Sequence, residues 1–224
     1  MERIETGIPG LDTMIQGGFP IPSAILLCGE PGTGKTTMAL QSVFHSARQG
    51  DVCLYITTTS EPSWVILKFL AEFKFYDQKL VDTKKIIFLD IDGKTSEDPY
   101  MVAELINKNV EKYRPKKLVI DPITSIRNAL EKSISYRQLI YELMVFLKTQ
   151  NCVSIFTTEG VYPDVTKSMD AYMVDGIIIL SYKEVENARK KYLEVLKLRG
   201  TRHLTGRRSL VISEEGLRVQ PELR

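Results

Sequence analysis

Two rhythms of apolar positions alternate along this chain. Mainly apolar runs stand at residues 24–28, 53–57, 86–90, 116–121, 153–157 and 176–180, the third and fourth closing on an aspartate and the fourth opening on two lysines. Runs of four to eight apolar residues bounded by polar turns predict buried strands. Between them the apolar positions recur at helical spacing. Leu40, Val43, Phe44 and Ala47 fall at i, i+3, i+4 and i+7, and the helix they predict ends near Gly50. Ile66, Phe69, Leu70 and Phe73 repeat the pattern, a third helix starts near Pro99, and Leu139, Ile140, Leu143, Met144 and Leu147 mark a fourth. Strands that alternate with one-faced helices predict a parallel sheet covered on both faces. After residue 180 the rhythm changes, and residues 191–199, 208–213 and 217–219 read as strands joined by Gly-containing turns, an antiparallel extension. Ahead of the first strand, Thr6-Gly7-Ile8-Pro9-Gly10-Leu11-Asp12 starts a short helix that Gly17-Gly18-Phe19-Pro20 ends. Residues 1–224 are expected to form one α/β domain, with 1–22 packing on its core.

The stretch Gly29-Glu30-Pro31-Gly32-Thr33-Gly34-Lys35-Thr36-Thr37 follows the first strand and opens the first long helix. It is a complete GxxxxGK[ST] phosphate loop in the strand–loop–helix setting that the motif requires. The glycines let the backbone turn tightly and aim successive N–H groups inward at a helix N-terminus, an anion nest. Lys35 is placed for the β- and γ-phosphates, and the Thr36 hydroxyl for Mg2+. A Gly-rich turn that binds nothing would not need all three elements in this order.

Composition narrows the picture without changing it. The hydrophobic share of 43% and charged share of 26% describe an ordinary globular chain, and the formal charge of +2 does not advertise nucleic acid. No run approaches the roughly 18 apolar residues of a membrane span. Met1-Glu2-Arg3-Ile4-Glu5 has no apolar leader, so no membrane association and a cytoplasmic protein are expected. Cys28, Cys53 and Cys152 lie in or beside strand-like runs without metal-ligand spacing and read as reduced core residues. Basic residues concentrate between Lys183 and Arg208.

Asp121 ends a predicted strand in a Walker B pattern, where it would hold magnesium directly or through water; the plain alternative is a turn cap. Thr157, Thr158 and Glu159 end another strand and either sense a γ-phosphate or close an ordinary turn. Lys197 and Arg199, two residues apart on a strand, share a face about 6.5–7 Å apart while Leu196 and Leu198 are expected to face the core. By themselves they read as a solvated charged edge.

Taken together, the chain resembles the RecA-like ATPases, and within them the KaiC-like branch. The resemblance rests on Gly7-Ile8-Pro9-Gly10-Leu11-Asp12, Gly17-Gly18-Phe19-Pro20, the phosphate loop, Leu118-Val119-Ile120-Asp121, Thr157-Thr158-Glu159 and Leu193-Glu194-Val195-Leu196-Lys197-Leu198-Arg199-Gly200-Thr201. It implies a RecA-like, mostly parallel twisted sheet in which an extra strand separates the phosphate-loop strand from the Walker B strand. It also implies ATP and Mg2+ as ligands, and a homo-oligomeric ring of six subunits with ATP held between neighbours. Lys197 and Arg199 then become cations offered to a neighbour's ATP, as an arginine finger is, with His203 beside them; a turn histidine is the plain reading of His203.

Two departures bear on chemistry. Relatives that hydrolyse ATP carry paired glutamates after the second strand, where this chain has Thr59-Ser60 with Glu61 next. Glu61 is therefore the expected base that orients water, and Glu159 the reserve. The clock proteins of the branch join two cores and autophosphorylate on adjacent hydroxyl residues; the aligned places here are Ala171 and Tyr172, and autophosphorylation is not expected. The expected function is slow, magnesium-dependent ATP hydrolysis that changes contacts with subunits or with an unknown protein partner. One alternative is a switch or scaffold that binds ATP without hydrolysing it. The other is a recombination accessory protein on DNA, the weakest reading, because residues 160–172 carry Asp164 and Asp170 against Lys167 and the chain starts at the ATPase core.

Overall fold

The computed structural model describes residues 1–58, 62–91, 99–130 and 135–222. In chain order the elements are β1 (Arg3–Ile4), α1 (Leu11–Met14), β2 (Phe19–Pro20), β3 (Ser23–Gly29), α2 (Lys35–Arg48), β4 (Cys53–Thr57), α3 (Ser63–Leu70), α4 (Gln78–Asp82) and β5 (Ile86–Asp90). Then come α5 (Pro99–Tyr113), β6 (Lys117–Asp121), α6 (Ile123–Leu130), α7 (Ser135–Thr149), β7 (Val153–Thr158), a 3-10 turn (Asp164–Lys167) and α8 (Met169–Met173). The last four are β8 (Gly176–Val185), β9 (Ala188–Leu198), β10 (Arg208–Ser213) and β11 (Gly216–Val219).

Among the described residues, nine strands form one sheet in the order β11-β10-β9-β8-β3-β7-β6-β4-β5. Pairing is parallel from β5 across to β8 and antiparallel from β8 out to β11. The central strand β3 lies between β7 and β8. As expected, an inserted strand, β7, separates the phosphate-loop strand β3 from β6, which ends in Asp121.

Both faces of the parallel block are buried, which is why its strands read as mainly apolar runs. Along β3, Ile25 and Leu27 join one core, and Ala24, Leu26 and Cys28 join the other. The first core receives α2 through Leu40, Val43 and Phe44, and the N-terminal segment through Ile8, Leu11, Met14, Ile15 and Phe19. The second receives α5 and α7 through Val102, Ile106, Ile140 and Leu147. All three cysteines are buried and none is in a disulfide.

The aromatic residues around α3 depart from the helical pattern. The helix ends at Leu70, so Phe73 falls outside it and packs with Phe75 at 5.1 Å between ring centroids, beside Phe44 of α2. Trp64 and Phe69 remain 66% and 65% exposed, so neither is a core residue of this chain. α4 and α6, absent from the periodicity, also appear. No described helix is long and apolar enough to cross a membrane.

A candidate nucleotide site

The loop between β3 and α2 is shaped by backbone that only glycine adopts easily. Gly32 and Gly34 have φ of 78° and 106°, and a Cβ on Gly34 would stand 2.8 Å from Ile212 Cδ1 on β10. Thr33 holds the turn, its N–H and hydroxyl both donating to the Glu30 carbonyl at 3.3 and 2.8 Å. The fourteen-residue helix α2 starts directly at Lys35, and the first N–H groups of a helix have no acceptor within it. Loop and helix end thus form the concave, positively polarised cradle that a phosphate chain needs.

Lys35 lies over this cradle and donates to the carbonyls of Gly29 and Glu30 at 2.7 and 3.1 Å. Burial pushes its ammonium below the ordinary lysine value, and the Asp121 and Glu159 carboxylates partly offset that. The two carbonyls satisfy the ammonium in a way that phosphate oxygens could replace.

Asp121 is nearly buried at the end of β6, on the face that α2 covers. Its carboxylate accepts from two hydroxyls on the flanking strands, Tyr55 of β4 and Thr157 of β7. These donors fix the orientation of the carboxylate. The Thr36 hydroxyl and the Asp121 carboxylate are hard oxygen donors, the set suited to a magnesium ion that takes its remaining ligands from phosphates and water. Magnesium held there would neutralise charge on the β- and γ-phosphates.

The Thr157 hydroxyl donates to Asp121 and so helps to orient that carboxylate. Thr158 is buried and lies 3.3 Å from Thr124 Oγ1, hydroxyl to hydroxyl. Glu159 is exposed, and its charge acts on Lys35. Glu61 lies outside the described residues.

Lys197, Arg199 and His203 are not brought to this loop. Gly176 pairs with Ile25 on one side and Leu198 on the other, which puts the end of β9 level with the start of β3, while the loop follows its far end. A register shift between Ile177 and Ile178 marks a bulge that interrupts the alternation of β9. Lys197 and Arg199 do share a side, both bonding to residues 171–175. Leu196 and Leu198 do not: Leu198 enters the first core and Leu196 packs against the second. Arg199 stands just past the strand, its side chain 56% exposed. Nδ1 of His203 lies 3.4 Å from the Thr201 carbonyl oxygen, in the irregular segment after the turn at Arg199 and Gly200.

Two groups at the loop escaped sequence reasoning. Tyr55 sits in a mainly apolar run where nothing singles out its hydroxyl. Lys191 is one of a row of basic residues, yet it alone donates to the Gly32 carbonyl, at 3.0 Å, with its ammonium 5.6 Å from the Tyr182 ring centroid. The β8–β9 hairpin therefore leans on the phosphate loop.

A family model described as the KaiC ATPase matches residues 4–224. The chain belongs to the KaiC ATPase family. It is 30% identical to the circadian clock oscillator protein KaiC of Synechococcus elongatus over 98% of its length but 44% of that protein's, so it spans about half of such relatives. A UPF0273 protein of Methanopyrus kandleri is 31% identical, covering 99% of this chain and 93% of its own. The crystal structure of a KaiC-like protein from Pyrococcus horikoshii superposes with a TM-score of 0.88 at 30% identity, covering 98% of this chain and 99% of that one. With that family membership, the fold is a KaiC-like RecA fold and the chain an ATP-binding one.

Proposed function

We propose that this KaiC-like chain binds ATP with magnesium, hydrolyses it slowly, and does so as a homo-oligomeric ring. The observation that carries the nucleotide part is the cradle itself, a left-handed Gly32/Gly34 turn at the start of α2 with Lys35 over it. Asp121, oriented by two hydroxyls, lies close enough to act on Lys35. Lys35 binds the β- and γ-phosphates in place of its loop carbonyls, and Thr36 with Asp121 holds the metal. Attack on the γ-phosphate needs a carboxylate to orient water and take its proton. Glu61 is that group by position after β4, and Glu159 is the reserve. The ring reading is supported by the family resemblance and by Lys197 and Arg199 lying away from their own loop, which leaves a neighbour's nucleotide as the one they would serve.

ATPase activity of the purified protein, measured with its mass in solution with and without ATP, tests the whole reading. Magnesium-dependent turnover in an assembly of several subunits is expected, and Glu61→Gln should abolish it without weakening ATP binding. Loss in Glu159→Gln alone would move the base to the β7 end. A second reading, a switch that holds ATP without cleaving it, is favoured by the exposure of Glu159, a carboxylate not yet positioned. Binding without turnover in the assembled protein selects it. A DNA-bound accessory role is disfavoured because residues 160–172 fold into the 3-10 turn and α8, with Asp170 buried and Lys167 within 3.9 Å of Asp164.

A further inference from the structure

Asp175 occupies the junction where α8 gives way to β8, and its side chain is only 14% exposed. Three elements converge on it. Its Oδ2 accepts the Ala24 N–H of β3 at 2.9 Å, and the Lys148 ammonium of α7 sits 2.9 Å from Oδ1 and 2.8 Å from Oδ2. Nη1 of Arg199 approaches Oδ1 at 3.4 Å. The main chain repeats the arrangement: the Asp175 N–H donates to the Ala24 carbonyl at 2.8 Å, and the Asp175 carbonyl accepts the Arg199 N–H at 2.9 Å. Nη2 of Arg199 reaches the Tyr172 carbonyl at 3.4 Å.

We infer that Asp175 is a positioning residue for Arg199, aiming its guanidinium outward from the end of β9 toward a neighbouring subunit. The inference rests on the reading of Arg199 as a cation for a neighbour's nucleotide. Lys148 and the Ala24 N–H lock the carboxylate in place; Arg199, at longer distance and largely in water, leans on it without being buried. An exposed pair of this kind adds little to stability, so what it supplies is direction. Because the same carboxylate holds the start of β3, the strand that leads into the phosphate loop, the aim of Arg199 is referenced to its own subunit's sheet.

Asp175→Asn keeps the shape and an acceptor for Ala24 while removing the charge. In crystal structures of wild type and variant, Arg199 should leave its place in the variant, with ATP affinity unchanged. Turnover of the assembled protein should fall about threefold to thirtyfold, and the substitution should cost nothing further in an Arg199→Ala background. Arg199 staying in place, or an equal loss in the Arg199→Ala background, overturns the proposal. Arg199 displaced with turnover intact leaves Asp175 as its anchor and removes Arg199 from the reaction. If Asp175→Asn does not fold, Lys148→Met decides: with the Ala24 N–H left to hold the carboxylate, Arg199 should remain on Asp175, and its departure overturns the proposal.

Discussion

Lys35 opens α2 and Lys117 lies against the same helix at Ser42, and both are pushed below the ordinary lysine value by burial. They differ in who completes their hydrogen bonds. Lys117 has 0% exposure, and its three donors find the Ser42 hydroxyl at 2.8 Å and the carbonyls of Ser42 and Glu5 at 3.1 Å each. Ser42 belongs to α2 and the Glu5 carbonyl to the N-terminal segment, so the set is closed by the chain itself, and the ammonium pins that segment and α2 to β6. Lys35 donates to two carbonyls of its own loop and remains partly in water. Its set is open and can be exchanged for a ligand. A buried cation becomes a staple or a binding group according to whether its partners are fixed.

Removing the closed set should have the larger effect. Lys117→Ala leaves a cavity and strands the Ser42 and Glu5 acceptors, and a loss of about 3–5 kcal/mol in urea denaturation is expected. ATP affinity of the folded fraction should stay within about twofold of wild type; a proportionate loss of affinity would erase the distinction. Lys35→Ala should do the reverse, weakening ATP binding in calorimetry by about a hundredfold or more while stability shifts by less than about 1 kcal/mol. Undiminished magnesium-dependent affinity would sink the loop assignment.

The comparison sharpens with pH. Burial lowers Lys117 from 10.5 to about 8, so between those values the unfolded chain binds more protons than the folded one, and stability should rise with pH across that window. The slope attributable to one proton is at most about 1.4 kcal/mol per pH unit. The Cys53 thiol, pushed up by burial from 9.0 to about 12, acts in the opposite sense, so the quantity to measure is the difference between wild type and Lys117→Met. An identical pH profile in the two proteins would mean that Lys117 is not the titrating group. The smallest expected effect concerns the open set: Tyr55→Phe removes one of the two hydroxyls on Asp121. It should raise the magnesium needed for ATP binding by about fivefold to tenfold at a stability cost near ~1 kcal/mol. No change in magnesium dependence would leave Thr157 as the sufficient holder.

What the sequence made legible follows from which interactions are local. The strands at residues 53–57 and 86–90 appear with the boundaries their apolar runs predict; the first is buried throughout, and the second, at the sheet edge, is half-buried yet carries apolar residues on both faces. The phosphate loop was readable because glycine placement and helix start are fixed within nine residues. Lys117 was not, because a lysine ahead of an apolar run looks like a strand's polar margin until Ser42 and Glu5 are folded against it. Leu196 was misassigned because a bulge cannot be seen in the strand that carries it. Phe69 matched helical spacing, but in the eight-residue helix that ends at Leu70 only Ile66 and Leu70 are buried and Phe69 is left exposed.

Gln41, halfway along α2, carries a consequence for the order in which the molecule is assembled. Its amide nitrogen donates to the carbonyls of Gly7 and Leu217, both at 3.0 Å, and its oxygen accepts the Leu217 N–H. Leu217 is 176 positions further along the chain. During synthesis the helix that opens the phosphate loop therefore leaves the ribosome long before the strand that completes its bedding. With the Ile212 side chain beside Gly34 arriving equally late, the cradle takes its final form only after the last antiparallel strands have emerged.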